Sequence, residues 1–214
     1  MSYFRFIDKG KGPTKLFVGG IHGNEGETTI DFFKSLIFSD FSNGKTFIYN
    51  FDNTPYISTL KKEYFDSDMG KYLIKIIKKY KPDFYTELHC YNIKNYEKLT
   101  SKDRMESQGI PPLINLENHV LISSVSPLIR KKYFQMETVC KTLEIPCIKK
   151  NSGVGENFSM DTDSANIYLN ILKILAKVKN REEFQNKMVE LYPKQVDLAI
   201  KYAKEIFGKY FPPF

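Results

Sequence analysis

The sequence has no hydrophobic run of the length that a membrane helix needs. Nowhere in its 214 residues do about 18 uncharged apolar residues follow one another, and the N-terminus shows no apolar run of signal-peptide length. These absences argue against a membrane-spanning helix and an ordinary secretory leader. We therefore expect a soluble, cytoplasmic protein that does not associate with membranes.

Cysteine and histidine are both scarce, with three of each. Cys90, Cys140 and Cys147 form no Cys-x-x-Cys pair and leave one cysteine over, so the sequence indicates neither a disulfide framework nor a cysteine zinc knuckle. We expect them to be buried thiols in a reducing compartment. Because histidines are few, the position of each is informative, and His119 is interpreted as an ordinary surface or strand-edge residue.

The net charge of +7 does not by itself indicate a nucleic-acid partner. The lysines are spread along the whole chain, with only short clusters such as IKIIKKY and IRKKY, and such spreading is typical of a solvated surface. No RRM-like aromatic signature or recognition helix is evident. Specific nucleic-acid binding is thus the least favoured function, and the sequence does not indicate an oligomeric state.

Strand-like and helix-like segments alternate along the chain. The runs with strand character lie at 14–20, 45–52, 83–91, 119–127 and 139–147. The runs with helical spacing lie at 27–38, 67–82, 164–178, 182–192 and 195–210. The alternation predicts an α/β fold with a mixed, mainly parallel sheet and helices on both faces. We expect one domain over residues 1–214, with long surface loops at about 92–118 and 149–163.

Three potential metal ligands occur at the ends of predicted strands. His22 and Glu25 follow the first strand, in GGIHGNEGE, and His89 lies near the end of the strand DFYTELHCY. Ligands of open α/β sheets bind beyond the carboxyl ends of the strands, so both elements should open on the same edge. Two histidines and a glutamate that leave a position for water form the ligand set of catalytic zinc sites. A lone His-x-x-Glu step is weak, because a histidine near a helix start is more often satisfied by a backbone carbonyl.

These segments resemble a known family. GGIHGNEGE is similar to the Gly-x-His-Gly-Asn-Glu element of the succinylglutamate desuccinylase and aspartoacylase group, within the zinc carboxypeptidase superfamily. ELHCY and KTLEIP are similar in type and order to its later elements. The resemblance runs from residue 14 to residue 146, and the whole chain resembles an archaeal branch of that superfamily. It implies a zinc carboxypeptidase-like fold, one zinc ion per chain held by His22, Glu25 and His89, and Glu144 as general base.

The activity that the resemblance implies is hydrolysis of an amide bond, of the metallocarboxypeptidase or N-acyl amino acid deacylase type. Glu144 would take the proton from a metal-bound water. Arg130 is one hypothesis for the partner of the oxyanion, and a surface charge beside Lys131 and Lys132 is the alternative interpretation. Arg104 is a hypothesis for binding a substrate carboxylate. We expect a small-molecule or short-peptide substrate that bears a carboxylate.

One element of the group is not matched. Its arginine-containing step between the second and third ligands, which binds substrate carboxylate, has no counterpart in NFDNTPYISTLKKEYF. Asn53 is the residue that would replace its asparagine, and Lys61 or Lys62 would replace its arginine. The gap keeps an alternative open, a catalytically silent member of the superfamily that binds a metal or a ligand.

Overall fold

A computed structural model describes residues 1–52, 54–147 and 162–208. The strands are β1 (Tyr3–Asp8), β2 (Thr14–Gly19), β3 (Lys45–Asn50), β4 (Phe84–Tyr91), β5 (Ile114–Asn115), β6 (Leu121–Ser123) and β7 (Val139–Pro146). The helices are α1 (Gly26–Ser35), α2 (Lys62–Asp66), α3 (Asp68–Tyr80), α4 (Tyr96–Thr100), α5 (Asp103–Gln108), α6 (Pro127–Tyr133), α7 (Thr162–Lys177), α8 (Arg181–Leu191) and α9 (Pro193–Phe207). None of these described helices combines the length and the apolar character needed to cross a membrane.

The strands form one seven-stranded sheet in the order β1-β3-β2-β4-β7-β6-β5. β3, β2, β4 and β7 run parallel to one another, whereas β1 pairs antiparallel with β3, and β6 pairs antiparallel with β7 and β5. The mixed, mainly parallel sheet predicted from the sequence is therefore confirmed. β2 lies between β3 and β4, so the strand order reverses there, which is the position where open α/β sheets bind ligands.

Helices cover both faces of the sheet, as the sequence predicts. Phe17, Leu88 and Leu143 point to one face, where they join a core with residues of α1, α7, α8 and α9. Leu16 and Val18 point to the other face and pack with residues of α3 and α6. Alternate residues of the central strands thus enter two different cores, and this explains why apolar residues occupy successive positions such as Leu16, Phe17 and Val18 in β2.

The start of α1 is fixed to the end of β3. A Cβ atom at Gly26 would lie 1.8 Å from the carbonyl oxygen of Phe51, so only glycine permits this close approach. The buried Asn50 side chain accepts a hydrogen bond from the Thr29 hydroxyl at 2.6 Å and donates one to the Gly26 carbonyl at 3.0 Å. These contacts hold the first turn of α1, and with it Glu25 at the N-cap, against the sheet.

The structure differs from the predicted elements at the N-terminus and in the loops. The sequence pattern does not predict β1, an edge strand whose Phe4 and Phe6 are exposed. The stretch 92–118, predicted as a long surface loop, contains α4, α5 and β5. Of the second predicted loop, residues 149–161 lie outside the described part of the chain, and residues 162 and 163 belong to α7.

The expectation of three buried thiols is wrong for two of the cysteines. Cys90 in β4 and Cys147 just after β7 form a disulfide, with their Cα atoms 4.8 Å apart. Cys140 is a free, buried thiol. The sequence does not indicate this pairing, because the two cysteines are 57 positions apart. Only the neighbouring positions of β4 and β7 in the sheet bring them together.

Candidate functional site

Four of the predicted site residues meet near the carboxyl ends of β2, β4 and β7. His22 and Glu25 lie between β2 and α1, and His89 of β4 pairs with Glu144 of β7 across the parallel ladder. Side chains at paired positions leave a sheet on the same face. All four residues line one cavity of about 900 Å³.

The Glu25 carboxylate lies between the two imidazole rings. Its Oε1 atom is 3.3 Å from Nδ1 of His22, and its Oε2 atom is 2.9 Å from Nδ1 of His89. Glu25 and His89 are buried, whereas His22 is half-buried. Both histidines therefore direct the same ring nitrogen at one carboxylate.

These neighbours shift the pKa values of Glu25 and His89. Burial alone would raise the pKa of the Glu25 carboxyl, but the two histidines, His89 above all, hold it below its usual range. Burial alone would lower the pKa of His89, but the Glu25 carboxylate outweighs burial and raises that pKa well above its usual value. The cluster thus favours charge on both partners, which is the property of an ion pair shielded from water.

Glu144 is half-buried on the same wall of the cavity. Burial raises the pKa of its carboxyl to about 7, although the nearby His89 and Arg104 act in the opposite direction. A carboxyl with a pKa near neutrality can take up and release a proton at physiological pH. This environment suits the acid–base role that the resemblance implies for Glu144, and the role itself stays a prediction.

Glu87 belongs to the site, although the motifs do not predict it. Its buried carboxylate accepts a hydrogen bond from the Tyr85 hydroxyl at 2.8 Å, and its other oxygen lies 3.3 Å from Nε2 of His89. A carboxylate at this nitrogen fixes the orientation of a metal-binding histidine. The signal is in TELHC, because Glu87 and His89 lie two residues apart and share one face of the strand. A buried glutamate is also rare without a partner.

Two separations among the three predicted ligands can be compared with those around a zinc ion. Four donors at about 2.0–2.2 Å from a tetrahedral ion are about 3.4 Å from one another, and the nitrogen–oxygen separations around Glu25 are 3.3 and 2.9 Å. As the side chains stand, however, no group of three His, Cys, Asp or Glu residues in the described ranges is arranged to hold an ion. Glu25 contacts both rings directly, so zinc binding requires these side chains to turn from one another towards the ion.

Arg130 does not lie with these residues. Its guanidinium donates to the backbone carbonyls of Gln135, Met136 and Thr138 at 2.8, 3.0 and 3.0 Å. These carbonyls precede β7, at the opposite end of the strand from Glu144. Arg130 is also only 2% exposed. Its placement supports neither the oxyanion hypothesis nor the interpretation as a surface charge.

Of the residues predicted to bind substrate that the structure describes, Arg104 lies at the cavity and Lys61 does not. Its side chain is half-buried, and Nη1 donates to the Pro111 carbonyl at 3.4 Å. Burial lowers the pKa of Arg104, and the Glu144 carboxylate opposes that change. Lys61 is exposed before α2 and is not among the described residues that line the cavity. Asn53 lies outside the described residues.

Comparison with known proteins identifies relatives by sequence. The chain is 43% identical over 215 residues to "Uncharacterized protein MJ0501" of Methanocaldococcus jannaschii, and the match covers 96% of each chain. No solved structure matches. A family model described as "Uncharacterized protein conserved in archaea (DUF2119)" matches residues 10–208, a range that includes every residue of the cavity cluster. The chain therefore belongs to this archaeal family.

Proposed function

We propose that the protein is a zinc-dependent hydrolase of amide bonds, of the metallocarboxypeptidase or N-acyl amino acid deacylase type. The observation that carries the proposal is the Glu25 carboxylate held between Nδ1 of His22 and Nδ1 of His89, with Glu144 on the same cavity. The resemblance of GGIHGNEGE, ELHCY and KTLEIP to the succinylglutamate desuccinylase and aspartoacylase group supports the same assignment.

His22, Glu25 and His89 would hold one zinc ion per chain. When bound, zinc would lower the pKa of a water molecule towards about 7 and polarise the amide carbonyl of the substrate. Glu87 would keep the His89 ring oriented through Nε2, so that Nδ1 stays directed at the site.

Glu144 would be the general base. It would accept a proton from the attacking water and pass it to the leaving amine, so that the water oxygen joins the acyl carbon as the C–N bond breaks. Thr142 lies two residues earlier on the same strand and also lines the cavity. Its buried hydroxyl has no hydrogen-bond partner within the described ranges.

Arg104 would bind the substrate carboxylate. Apart from the 3.4 Å contact with the Pro111 carbonyl, its side chain has no hydrogen bond or ion pair with the residues that the structure describes. Its remaining donors can therefore serve a carboxylate in the two-pronged geometry that guanidinium favours. This supports a small-molecule or short-peptide substrate that bears a carboxylate.

A cytoplasmic location belongs to the same proposal. The Cys90–Cys147 disulfide is unusual for a reducing compartment. Intracellular proteins of hyperthermophilic archaea are nevertheless rich in disulfides, so the bond is compatible with a cytoplasmic archaeal protein.

A catalytically silent metal- or ligand-binding protein is the second candidate. It is favoured by the placement of Arg130, which leaves the cavity without the oxyanion partner that the sequence suggested. In that case the cluster would bind its ligand without turnover.

The release of free amine from a panel of N-acyl amino acids and short peptides tests the proposal. We expect the zinc-loaded protein to hydrolyse at least one member. Glu144→Gln should keep its zinc and its fold but lose activity by about 10²–10⁴-fold, the usual contribution of a positioned acid or base. Absence of turnover by the wild type would favour the silent protein, and equal turnover by the variant would remove Glu144 from the mechanism.

A further inference from the structure

The cavity has two chemically different sides. One side is formed by the cluster of His22, Glu25, His89 and Glu144. The other side, here named the apolar wall, comes from the segment between β4 and β5. The apolar wall consists of Ile93, Leu99, Ile110, Pro111 and Leu113.

The apolar wall is supported by a small core of its own. Leu113 is buried with Tyr91 and Leu121, and Ile93 and Leu99 pack against that group. The Leu113 N–H also donates to the Leu99 carbonyl at 2.9 Å. Ile93 and Leu99 nevertheless remain only half-buried. The wall is therefore a supported surface with apolar area that a ligand can still cover.

Arg104 belongs to the same segment as the apolar wall. Its contact with the Pro111 carbonyl places the guanidinium beside that part of the wall. An α-amino acid carries its carboxylate and its side chain on one carbon atom. A ligand whose carboxylate binds Arg104 therefore brings its side chain close to Ile110 and Pro111.

We infer that the substrates are N-acyl or peptidyl derivatives of α-amino acids with large apolar side chains, such as leucine and phenylalanine. This inference rests on the proposed function and adds the class of the amine that is released. Each methylene buried against the wall should strengthen binding by about 4-fold. An acidic side chain would instead place a second carboxylate on an apolar surface. Lys94, the other lysine or arginine among the described residues that line the cavity, is exposed, and exposed ion pairs contribute little.

Binding and turnover of N-acetyl derivatives of glycine, leucine, phenylalanine and aspartate test the inference. Affinity is measured by calorimetry on zinc-loaded Glu144→Gln, and kcat/KM on the zinc-loaded wild type. We expect both quantities to rise by about 10-fold or more from glycine to leucine, since several methylenes become buried. The aspartate derivative should bind no better than the glycine derivative.

Two substitutions separate the wall from the carboxylate contact. Ile110→Ser should weaken the leucine derivative far more than the glycine derivative and so remove the preference for leucine. Leu198→Ser, on the exposed side of α9, is the matched control and should keep that preference. Arg104→Gln should weaken all four ligands by about 10-fold or more, because a hydrogen bond between charged groups is lost. Binding of N-acetyl-leucinamide, which has no carboxylate, should not change.

The outcomes distinguish this inference from the proposed function. Preference for aspartate, or equal binding of glycine and leucine, would overturn the apolar class even if hydrolysis occurs. A second outcome is affinity that rises with the size of the apolar side chain and loses this dependence in Ile110→Ser, while no derivative is hydrolysed. This outcome would support the preference for apolar amino acids and contradict hydrolysis of this panel.

Discussion

Buried charged side chains lie at both ends of the central strands, but their partners differ. At the amino end, Lys15 donates to three backbone carbonyls around the end of α7, and Arg130 donates to three carbonyls before β7. At the carboxyl end, Glu25 and Glu87 each contact the His89 ring, beside a cavity of about 900 Å³.

This difference separates two uses of a buried charge. A cation that donates to the carbonyls at the end of a helix or turn satisfies backbone acceptors of the fold. Within the described residues, the carboxylates and imidazoles of the cluster make side-chain contacts and no hydrogen bond to the backbone. Their burial is unfavourable unless a partner compensates it. We therefore expect changes at the amino end to affect stability, and changes at the carboxyl end to affect zinc binding and turnover.

The disulfide is an exception to this division. It lies at the carboxyl end of the strands, but we expect its loss to lower stability. Replacing Cys90 and Cys147 together by serine should lower the free energy of unfolding by about 4 kcal/mol, from the chain entropy of the closed loop. Denaturant unfolding measures the change. A reductant should bring the wild type close to the level of the variant and leave the variant unaffected. Equal stability of oxidised and reduced wild type would contradict the prediction.

Arg130 tests whether a buried charge at the amino end serves stability rather than activity. Arg130→Met should lower the free energy of unfolding by about 1.5–3 kcal/mol, because backbone carbonyls lose a charged donor. Turnover of the best substrate by the folded variant should stay within about 2-fold, since a distant substitution leaves the reacting groups in place. The exposed neighbour Lys132→Met is the matched control for stability. A large loss of turnover at unchanged stability would contradict this prediction and would support a catalytic role for Arg130.

Glu87 tests whether a buried charge at the carboxyl end serves zinc binding. Glu87→Gln keeps the size of the side chain but removes the charge that faces Nε2 of His89. Zinc affinity should fall by about 10–100-fold, the usual effect of changing a partner of a metal-binding histidine. Competition with a chelator of known affinity measures it. Unchanged affinity would mean that Glu87 serves only the buried contact with Tyr85.

Lys15 extends the comparison to the pH dependence of stability. Burial lowers the pKa of Lys15 from 10.5 to about 7, so between these values the unfolded chain binds a proton that the folded chain does not. The free energy of unfolding should therefore rise with pH from about 7 to 9. Burial lowers the pKa of Lys141 to about 7 as well. Lys15→Met should thus reduce the slope by about half, and an unchanged slope would contradict the assignment.

The central strands could be predicted because each is a short apolar run bounded by turn residues, and the end of a parallel strand fixes where its last residues lie. The positions of His22 and His89 follow from that rule. β1 was not predicted, because this edge strand leaves Phe4 and Phe6 exposed and so shows no apolar run of a buried strand. α4 and α5, with 5 and 6 residues, are too short for a periodic pattern to reveal.

Contacts that depend on how elements pack could not be predicted. The direction of the Arg130 side chain depends on how α6 lies against the turn before β7. The disulfide depends on β4 and β7 being neighbours, which the order of strands along the chain does not specify. Glu87 is an intermediate case. Its position on the same strand face as His89 could be predicted from the sequence, but its contact with the His89 ring could not.

The zinc content of the purified protein tests the central claim most directly. After zinc is supplied at neutral pH and excess is removed, elemental analysis should find close to one zinc ion per chain, as the ligand set of His22, Glu25 and His89 requires. His89→Ala should lose the ion, while His119→Ala, which changes an exposed histidine, should retain it. A wild type that holds no zinc, or a His89→Ala variant that binds it as well as the wild type, would contradict the proposed site.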